Sequence, residues 1–187
     1  MTVLMIDNHD SFVYNVVDLL ERNGESVDVI ENDSEVNAPI LEKYDTLVIS
    51  PGPGTPVNER DRGITLDLIK RGKFRKILGI CFGHQLLAYS LGSTIYRTER
   101  IYHGEVDKIR NFRGGVLSHV PDEFSAVRYH SLAITPNPKI IVDAVSESDG
   151  TIMAFHSRDS RIYGMQFHPE SYYSSYGDIM IREFLRI

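Results

Sequence analysis

The sequence predicts an α/β fold with a doubly wound, mostly parallel central sheet, helices on both faces and antiparallel additions in the second half. Three observations indicate this class. Short apolar runs of strand length alternate with segments of helical periodicity over residues 2–91. Loops rich in glycine or proline directly follow two of these runs, where a parallel sheet carries its functional loops. Beyond residue 91, short apolar runs follow one another with few helical stretches between them, which is typical of antiparallel strands.

The first half begins with a predicted strand over residues 2–6, a polar turn, and an amphipathic helix that starts near Phe12 and is ended by Asn23 and Gly24. Further strands are predicted over residues 26–30, 46–49 and 77–80, and further helices over residues 61–71 and 83–91. A strand followed by a helix, repeated in this way, gives a flavodoxin-like sheet. Its strands end at one common edge, where such folds place their sites.

The second half contains predicted strands over residues 94–96, 105–109, 126–129, 140–145, 152–156 and 162–167. A closing helix over residues 176–186 buries one apolar face. No linker, internal repeat or low-complexity tract interrupts the pattern. The sequence therefore predicts one domain over residues 1–187, a length sufficient for a sizeable core.

Composition excludes several classes of protein. The net charge of −6 argues against a nucleic-acid partner, because such partners are held by a basic surface. A single cysteine excludes an internal disulfide and a zinc site built from several thiolates. The amino terminus lacks the basic start of a secretory signal, and no apolar run is long enough to span a bilayer. We expect a cytoplasmic protein without a membrane contact.

Cys81 is the single cysteine and lies in the segment Gly79-Ile80-Cys81-Phe82-Gly83, between a predicted strand and a predicted helix. A glycine-flanked turn at this position holds its central side chain clear of its own backbone. The free amide hydrogens at the start of the helix favour a thiolate. A lone cysteine is more often packed as a small apolar residue. The two glycines favour a nucleophile instead.

His168 and Glu170 lie in the segment Gln166-Phe167-His168-Pro169-Glu170-Ser171, where a predicted strand ends. A cysteine nucleophile needs a base within hydrogen-bond reach, and that base needs a third group to hold its orientation. Pro169 restricts the backbone so that Glu170 can turn back to the imidazole. A solvated turn is the alternative. Together with the Cys81 turn, however, the segment predicts a catalytic triad.

The loop Ser50-Pro51-Gly52-Pro53-Gly54-Thr55-Pro56 follows the predicted strand over residues 46–49. Its prolines and glycines cannot continue a central strand, so a rigid loop is expected at the carboxyl end of that strand. Glycines let backbone amides approach a ligand. One of these amides can pair with the Phe82 amide as the two donors to an oxyanion. A turn without a ligand is the alternative, but the loop shares the sheet edge of Cys81.

Three other segments carry weaker indications. The run from Arg128 to Leu132 could simply end a strand, and His130 taken alone is more typical of a structural histidine. Asp10 or Ser11 can cap the helix that follows, which is a sufficient reason for either residue. A group of basic residues is expected to form a solvated face, with a partner surface as the alternative: Arg97, Arg100, Lys108, Arg110 and Arg113.

Five motifs, in order, resemble those of the class I (triad-type) glutamine amidotransferases. Within that family the likeness is strongest to the small subunits of anthranilate synthase and aminodeoxychorismate synthase. The resemblance extends from residue 7 to residue 171 and so covers nearly the whole chain. The motifs are Asp7-Asn8-x-Asp10-Ser11-Phe12, Ser50-Pro51-Gly52-Pro53-Gly54-Thr55-Pro56, Gly79-x-Cys81-x-Gly83-His84-Gln85, Tyr129-His130-Ser131-Leu132 and Gln166-Phe167-His168-Pro169-Glu170-Ser171.

The resemblance implies a glutaminase that delivers ammonia to another protein. It makes Cys81 the nucleophile, His168 the general base and acid, and Glu170 the residue that orients His168. By the same likeness, the backbone amides of Gly54 and Phe82 stabilise the oxyanion. The positions that match the binding of L-glutamine are Gly52, Pro53, Gly54, Gln85, Ser131 and Leu132.

The resemblance also implies what this chain lacks. No cofactor and no metal are expected in it. The acceptor of ammonia is expected in a chorismate-binding synthase large subunit, which needs Mg²⁺ and forms a heteromeric complex with this chain. Two departures from the family pattern are His9, where an aromatic residue is common, and Phe82, where leucine is common. Neither departure changes the predicted triad.

Several alternatives stay open at this level. The residues do not separate a small subunit of anthranilate synthase from one of aminodeoxychorismate synthase, or from one shared by both. A glutaminase subunit of a nucleotide synthase is disfavoured by the first two motifs. A cysteine peptidase or γ-glutamyl hydrolase would use the same triad without a partner. A noncatalytic flavodoxin-like binding module would leave the triad as a coincidence.

Overall fold

A computed structural model describes residues 2–36 and 41–187. The strands in this part of the chain are β1 (Thr2–Asp7), β2 (Ser26–Glu31), β3 (Thr46–Ile49), β4 (Lys76–Ile80), β5 (Ile95–Arg97), β6 (Glu105–Asn111), β7 (Glu123–Arg128), β8 (Leu132–Ile134), β9 (Ile140–Ser146), β10 (Ile152–Ser157) and β11 (Ile162–Met165). The helices are α1 (Val13–Arg22), α2 (Glu59–Arg62), α3 (Thr65–Arg71), α4 (Phe82–Leu91) and α5 (Gly177–Arg186), with a 3₁₀ turn at Gly115–Leu117.

Nine of these strands form one sheet in the order β2-β1-β3-β4-β11-β10-β9-β6-β7. The first five in this order are parallel to one another, and the remaining four add in antiparallel fashion. Strands β5 and β8 form a separate antiparallel pair. The predicted fold class is confirmed. Strand β11 joins the two parts of the sheet, because it is parallel to β4 and antiparallel to β10.

Helices cover both faces of the sheet, and successive side chains of β1 pack against one face and then the other. Val3 and Met5 pack with α1 and α5 on one face, whereas Leu4 and Ile6 pack with α3 and α4 on the other. All four side chains are at most 1% exposed. Burying an aliphatic side chain of this kind stabilises a fold by about 1.5–3 kcal/mol. No helix in the described ranges is long and apolar enough to cross a membrane.

The structure differs from the sequence prediction in three elements. The single helix predicted over residues 61–71 is wrong, because Gly63 at φ 48° separates α2 from α3. A side chain at Gly63 would lie 2.0 Å from the Asn32 carbonyl oxygen, so the break follows from a close backbone approach. Strand β8 and the 3₁₀ turn were not predicted. Both contain only three residues, too few to show a period.

The turn from β4 into α4 depends on two glycines. A Cβ atom at Gly79 would lie 2.3 Å from the Gly83 carbonyl oxygen, and one at Gly83 would lie 2.4 Å from the carbonyl oxygen of Ile49 on β3. Real Cβ atoms do not approach backbone oxygens so closely. Glycine therefore allows α4 to start directly against the neighbouring strand, which brings residue 81 to the carboxyl edge of the sheet.

We expect Gly83→Ala to lower the free energy of unfolding by about 3 kcal/mol or more, since β3 and α4 must separate to accept the methyl group. Gly92→Ala is the matched control. Gly92 has φ 106° and no atom near its Cβ position, so only backbone strain of about 1–2 kcal/mol is expected there. Urea unfolding of both variants measures the difference. Equal losses would contradict the close packing at Gly83.

Candidate active site

Cys81 occupies a strained turn at the carboxyl end of β4. Its backbone has φ 52° and ψ −100°, a conformation that costs a residue with a side chain about 1–3 kcal/mol. The amide of Cys81 donates to the Met165 carbonyl of β11 at 2.8 Å, which holds the turn in place. The side chain is 6% exposed and precedes the first residue of α4. The structure thus presents the thiol at the helix amino terminus, as the sequence predicts.

His168 and Glu170 form a close pair just beyond β11. The imidazole Nδ1 and Glu170 Oε1 are 2.6 Å apart, and both side chains are at least 95% buried. Because a carboxylate can only accept, Nδ1 carries the proton and donates it. Within the described residues, His168 Nε2 is buried without a hydrogen-bond partner. That nitrogen is therefore the one available for chemistry.

The surroundings of His168 favour its charged form. Burial lowers the pKa of His168, but the Cys81 sulfur and the Glu170 carboxylate outweigh burial and raise that pKa well above its ordinary value. The direction is the one expected of an imidazolium that faces a sulfur on one side and a carboxylate on the other. The arrangement can accept a proton from a thiol and return it to another atom at the same place.

A cavity of about 200 Å³ lies against Cys81. It is smaller than the roughly 300–1,000 Å³ typical of pockets for drug-sized ligands, which suits a ligand of amino-acid size. All the residues matched to glutamine binding or to the oxyanion lie on its wall. The full lining is Gly52, Pro53, Gly54, Cys81, Phe82, Gln85, Tyr129, His130, Ser131 and Leu132.

His168 and Glu170 line a neighbouring cavity of about 150 Å³ instead. Tyr129 lines both cavities, and its ring meets the His168 ring edge-on with the centroids 5.1 Å apart. Tyr129 therefore forms the wall between the cavity beside the sulfur and the cavity beside the imidazole. Its role was not apparent in the sequence, where Tyr129 was only part of a motif. The Phe82 ring, 1% exposed, belongs to the apolar core.

The loop over residues 50–56 is held from two sides. Asn8 donates from its backbone amide to Ser50 Oγ at 2.9 Å and from Nδ2 to the Ser50 carbonyl at 3.0 Å. Asp61 Oδ2 accepts from the Thr55 amide at 2.9 Å. Gly54 has φ 85°, and its Cβ position would overlap Asp61. Asn8 thus braces a loop of the cavity, a role that sequence reasoning missed although Asn8 follows β1 at the same sheet edge.

Arg128 supports the opposite side of the cavity. Its side chain is fully buried and forms ion pairs with Asp107 at 2.6 Å and Asp149 at 2.8 Å. Arg128 Nε also donates to His130 Nε2 at 3.1 Å. His130 Nδ1 therefore carries the proton and donates to the Leu132 carbonyl at 2.9 Å. These contacts fit the prediction of a structural histidine, and His130 also lines the cavity.

Two histidines near the cavity are held neutral. Burial, and after it the Arg128 charge, lowers the pKa of His130 to about 4. Burial lowers the pKa of His84 to about 3, and the His84 ring lies 5.0 Å from the Phe155 ring. His84 belongs to α4 and directly precedes Gln85, but it does not line the cavity. Because both pKa values are lowered, protonation of either histidine destabilises the folded protein.

Comparison with known proteins gives consistent matches. The profile of the family described as "Glutamine amidotransferase class-I" matches residues 4–187. The chain is 43% identical to anthranilate synthase component 2 of Saccharolobus solfataricus, covering 97% of this chain and 96% of that protein. It is 40% identical to the aminodeoxychorismate/anthranilate synthase component 2 of Bacillus subtilis, covering 98% of this chain and 95% of that protein.

Solved structures share the fold. A Thermoplasma acidophilum protein described as part of a GMP synthase has a TM-score of 0.89 at 24% identity, covering 100% of this chain and 92% of that one. A glutamine amidotransferase from Thermotoga maritima has a TM-score of 0.75 at 21% identity, covering 91% of this chain and 76% of that one. At these identities the likeness extends to the architecture of the sheet and its helices.

The neutral histidines predict a loss of stability in mild acid. An unfolded histidine has a pKa of about 6.5, so between pH 6.5 and 4 the unfolded chain takes up protons that folded His84 and His130 refuse. Stability therefore falls as pH falls through this window. From pH 7 to pH 5 we expect each histidine to reduce the free energy of unfolding by about 2 kcal/mol.

Urea unfolding at the two pH values tests this expectation. His130→Asn should remove about half of the loss between pH 7 and pH 5, whatever its effect on stability at pH 7. The control is Ser90→Ala, which replaces an exposed residue without a titratable side chain and should leave the loss unchanged. A stability that does not change between pH 7 and pH 5 would contradict the neutral state of both buried histidines.

Proposed function

Because this chain belongs to the class I glutamine amidotransferases, we propose that it is the glutaminase subunit of an anthranilate synthase. In this role it hydrolyses L-glutamine and supplies ammonia to a chorismate-binding synthase subunit, as a step in tryptophan biosynthesis. The family match over residues 4–187 and the relatives named as anthranilate synthase component 2 support the proposal. Those relatives are named as components of a synthase, which supports a synthase partner for this chain.

The observation that carries the proposal is the position of Cys81 beside His168. A thiol on a strained turn, an imidazole aligned by a buried carboxylate at 2.6 Å, and a cavity of amino-acid size meet at one sheet edge. Each part alone has a structural explanation. Their combination matches the requirement of an activated nucleophile, which needs a base and a group that orients the base.

The proposed reaction begins with attack of the Cys81 thiolate on the side-chain amide carbon of glutamine. The carbonyl oxygen becomes an oxyanion between the backbone amides of Gly54 and Phe82. As the first residue of α4, Phe82 has no carbonyl one turn earlier to accept its amide hydrogen, so that amide is available to the substrate. His168 then protonates the departing nitrogen, and ammonia leaves a glutamyl thioester on the sulfur.

Hydrolysis of the thioester uses the same residues. Neutral His168 takes a proton from water through Nε2, the water attacks the thioester carbon, and the thiolate leaves as glutamate forms. Glu170 keeps the imidazole in the required tautomer throughout. In this proposal the substrate is held by the wall of the cavity, through Gly52, Pro53, Gly54, Gln85, Ser131 and Leu132.

The acceptor chemistry belongs to the partner in this proposal. Chorismate and Mg²⁺ are assigned to the synthase subunit, and this chain works without a metal or cofactor of its own. The cytoplasm is the proposed compartment, because its reducing conditions keep the single nucleophilic thiol unoxidised.

The second candidate is the glutaminase subunit of an aminodeoxychorismate synthase. The names of the relatives support it as directly as they support the first candidate. The Bacillus subtilis relative is named for both synthases, and a Streptomyces griseus relative at 37% identity is named aminodeoxychorismate synthase. The two functions share the glutaminase reaction and differ in the product of the partner. A stand-alone cysteine hydrolase is less favoured, because the names of these relatives refer to synthases.

Cys81→Ala should abolish glutamine-dependent product formation by the complex, by a factor of about a thousand or more, because the nucleophile is lost. Product formation from added ammonium salts should stay close to that of the unchanged complex, since that reaction lies in the partner. Measurement of both rates on the purified complex tests the prediction. The control is Ser90→Ala, an exposed substitution on the same helix. Glutamine-dependent synthesis by Cys81→Ala would disprove the assignment of the nucleophile.

Co-purification of the synthase partner decides between the two candidate pathways. With chorismate, glutamine and Mg²⁺, we expect the complex to form anthranilate, which is identified by its fluorescence and mass. Aminodeoxychorismate as the sole product would replace the first candidate by the second. Rapid glutamine hydrolysis by the isolated chain, unchanged by the partner, would instead favour a stand-alone hydrolase.

A further inference from the structure

Gln166 contacts the sulfur of Cys81. The Gln166 side chain is fully buried, and its Nε2 lies 3.7 Å from Cys81 Sγ in a geometry that allows an N–H···S hydrogen bond. We propose that Gln166 is a catalytic residue that donates a hydrogen bond to the Cys81 thiolate and keeps the sulfur in its reactive form. This inference rests on the proposed function only in taking Cys81 as the nucleophile.

The orientation of the Gln166 amide is fixed by its neighbours. The Leu132 carbonyl can only accept a hydrogen bond, so the Gln85 amide must turn its Nε2 toward that oxygen, at 3.1 Å. The second hydrogen of Gln85 Nε2 points to the Gln166 amide, also at 3.1 Å, and requires the acceptor Oε1 there. With Oε1 committed to Gln85, the group that Gln166 turns toward the sulfur is the donor Nε2.

A backbone hydrogen bond also fixes the position of Gln166. The Gln166 amide donates to the Met153 carbonyl of β10 at 2.8 Å, directly after β11 ends at Met165. The neighbouring Met165 carbonyl accepts from the Cys81 amide at 2.8 Å. Two consecutive residues at the end of β11 therefore act on Cys81. Met165 holds its backbone, and Gln166 supplies the donor to its sulfur.

Gln166 and His168 interact with the Cys81 sulfur in different ways. The imidazole exchanges a proton with the substrate during each half of the reaction, so its interaction with the sulfur changes from step to step. An amide has no proton to transfer in this pH range and donates throughout. Hydrogen bonds to a charged acceptor are roughly twice as strong as neutral ones, particularly where water is excluded. Gln166 would thus favour the thiolate both before attack and when the thioester breaks.

The rate of Cys81 alkylation by iodoacetamide tests the proposal, because the thiolate is the reacting form and this chain has no other cysteine. Gln166→Met replaces the amide with an apolar side chain of similar length. We expect the midpoint of the pH–rate profile to move up by about one unit, so that alkylation at a fixed pH below the midpoint slows about tenfold. The plateau at high pH, where all the sulfur is ionised, should stay within about twofold.

The alkylation rate at the high-pH plateau shows whether Gln166 donates a hydrogen bond to the sulfur or only packs against the site. A uniform loss of rate at every pH would mean that Gln166 only maintains the shape of the site, and it would overturn the proposal. An unchanged profile would overturn it as well. If the midpoint of the unchanged protein does not lie below that of a free thiol, then Cys81 is not activated, and both the proposed function and this inference are wrong.

Two further variants guard against loss of folding. Gln166→Asn keeps an amide but shortens its reach, and it should move the midpoint in the same direction as Gln166→Met. The control is Asn111→Leu, which removes a buried amide bonded to the Leu117 and Val120 carbonyls and does not line the cavity. It should lower the thermal midpoint without moving the alkylation midpoint. A shift of the alkylation midpoint in Asn111→Leu as large as in Gln166→Met would overturn the proposal.

Discussion

The site depends on the backbone of Cys81, which is held at φ 52° and ψ −100° between β4 and α4. A residue with a side chain does not adopt this conformation unless its neighbours impose it. The neighbours do so here through close contact. Gly79 and Gly83 let the turn, the helix and β3 approach within van der Waals distance, and the Met165 carbonyl accepts the Cys81 amide hydrogen. Packing over the whole sheet thus compensates a local strain of about 1–3 kcal/mol.

The two parts of the sheet contribute different parts of the site. The parallel part supplies the turn at Cys81 and the loop over residues 50–56, as expected where parallel strands end. The antiparallel part supplies Arg128 and the cavity segment that follows it. Strand β11 belongs to both parts, and its carboxyl end leads to Gln166 and His168. Residues far apart in the chain therefore meet at one place because β4 and β11 are neighbours in the sheet.

Four buried residues beside the cavity are linked by hydrogen bonds with defined donors and acceptors: Arg128, His130, Gln85 and Gln166. Arg128 can only donate, so it fixes the tautomer of His130. The Leu132 carbonyl can only accept, so it fixes Gln85 and, through Gln85, Gln166. Hydrogen bonds of this kind specify one arrangement of the side chains that they link. These four side chains therefore hold each other's orientation on one side of the cavity.

Much of this arrangement was predictable from the sequence. The rest was not predictable, and the reasons are physical. Periodicity predicted the fold class, and the glycine-flanked Cys81 and the pair His168 and Glu170 are local patterns with a known chemical purpose. By contrast, the contact of Gln166 with Cys81 and the ion pairs of Arg128 join residues distant in sequence, and no local pattern indicates such contacts. The break at Gly63 was missed because its cause is the carbonyl of Asn32, thirty-one positions earlier in the chain.

If Cys81 is the nucleophile, it must carry the glutamyl group during turnover. Rapid acid quenching of the complex with glutamine, followed by peptide mass spectrometry, detects this intermediate, because a thioester survives acid. We predict a mass increase of one glutamyl group on the peptide that contains Cys81. Ammonia release with no such adduct on Cys81, or with the adduct on another residue, would contradict the proposed role of this thiol.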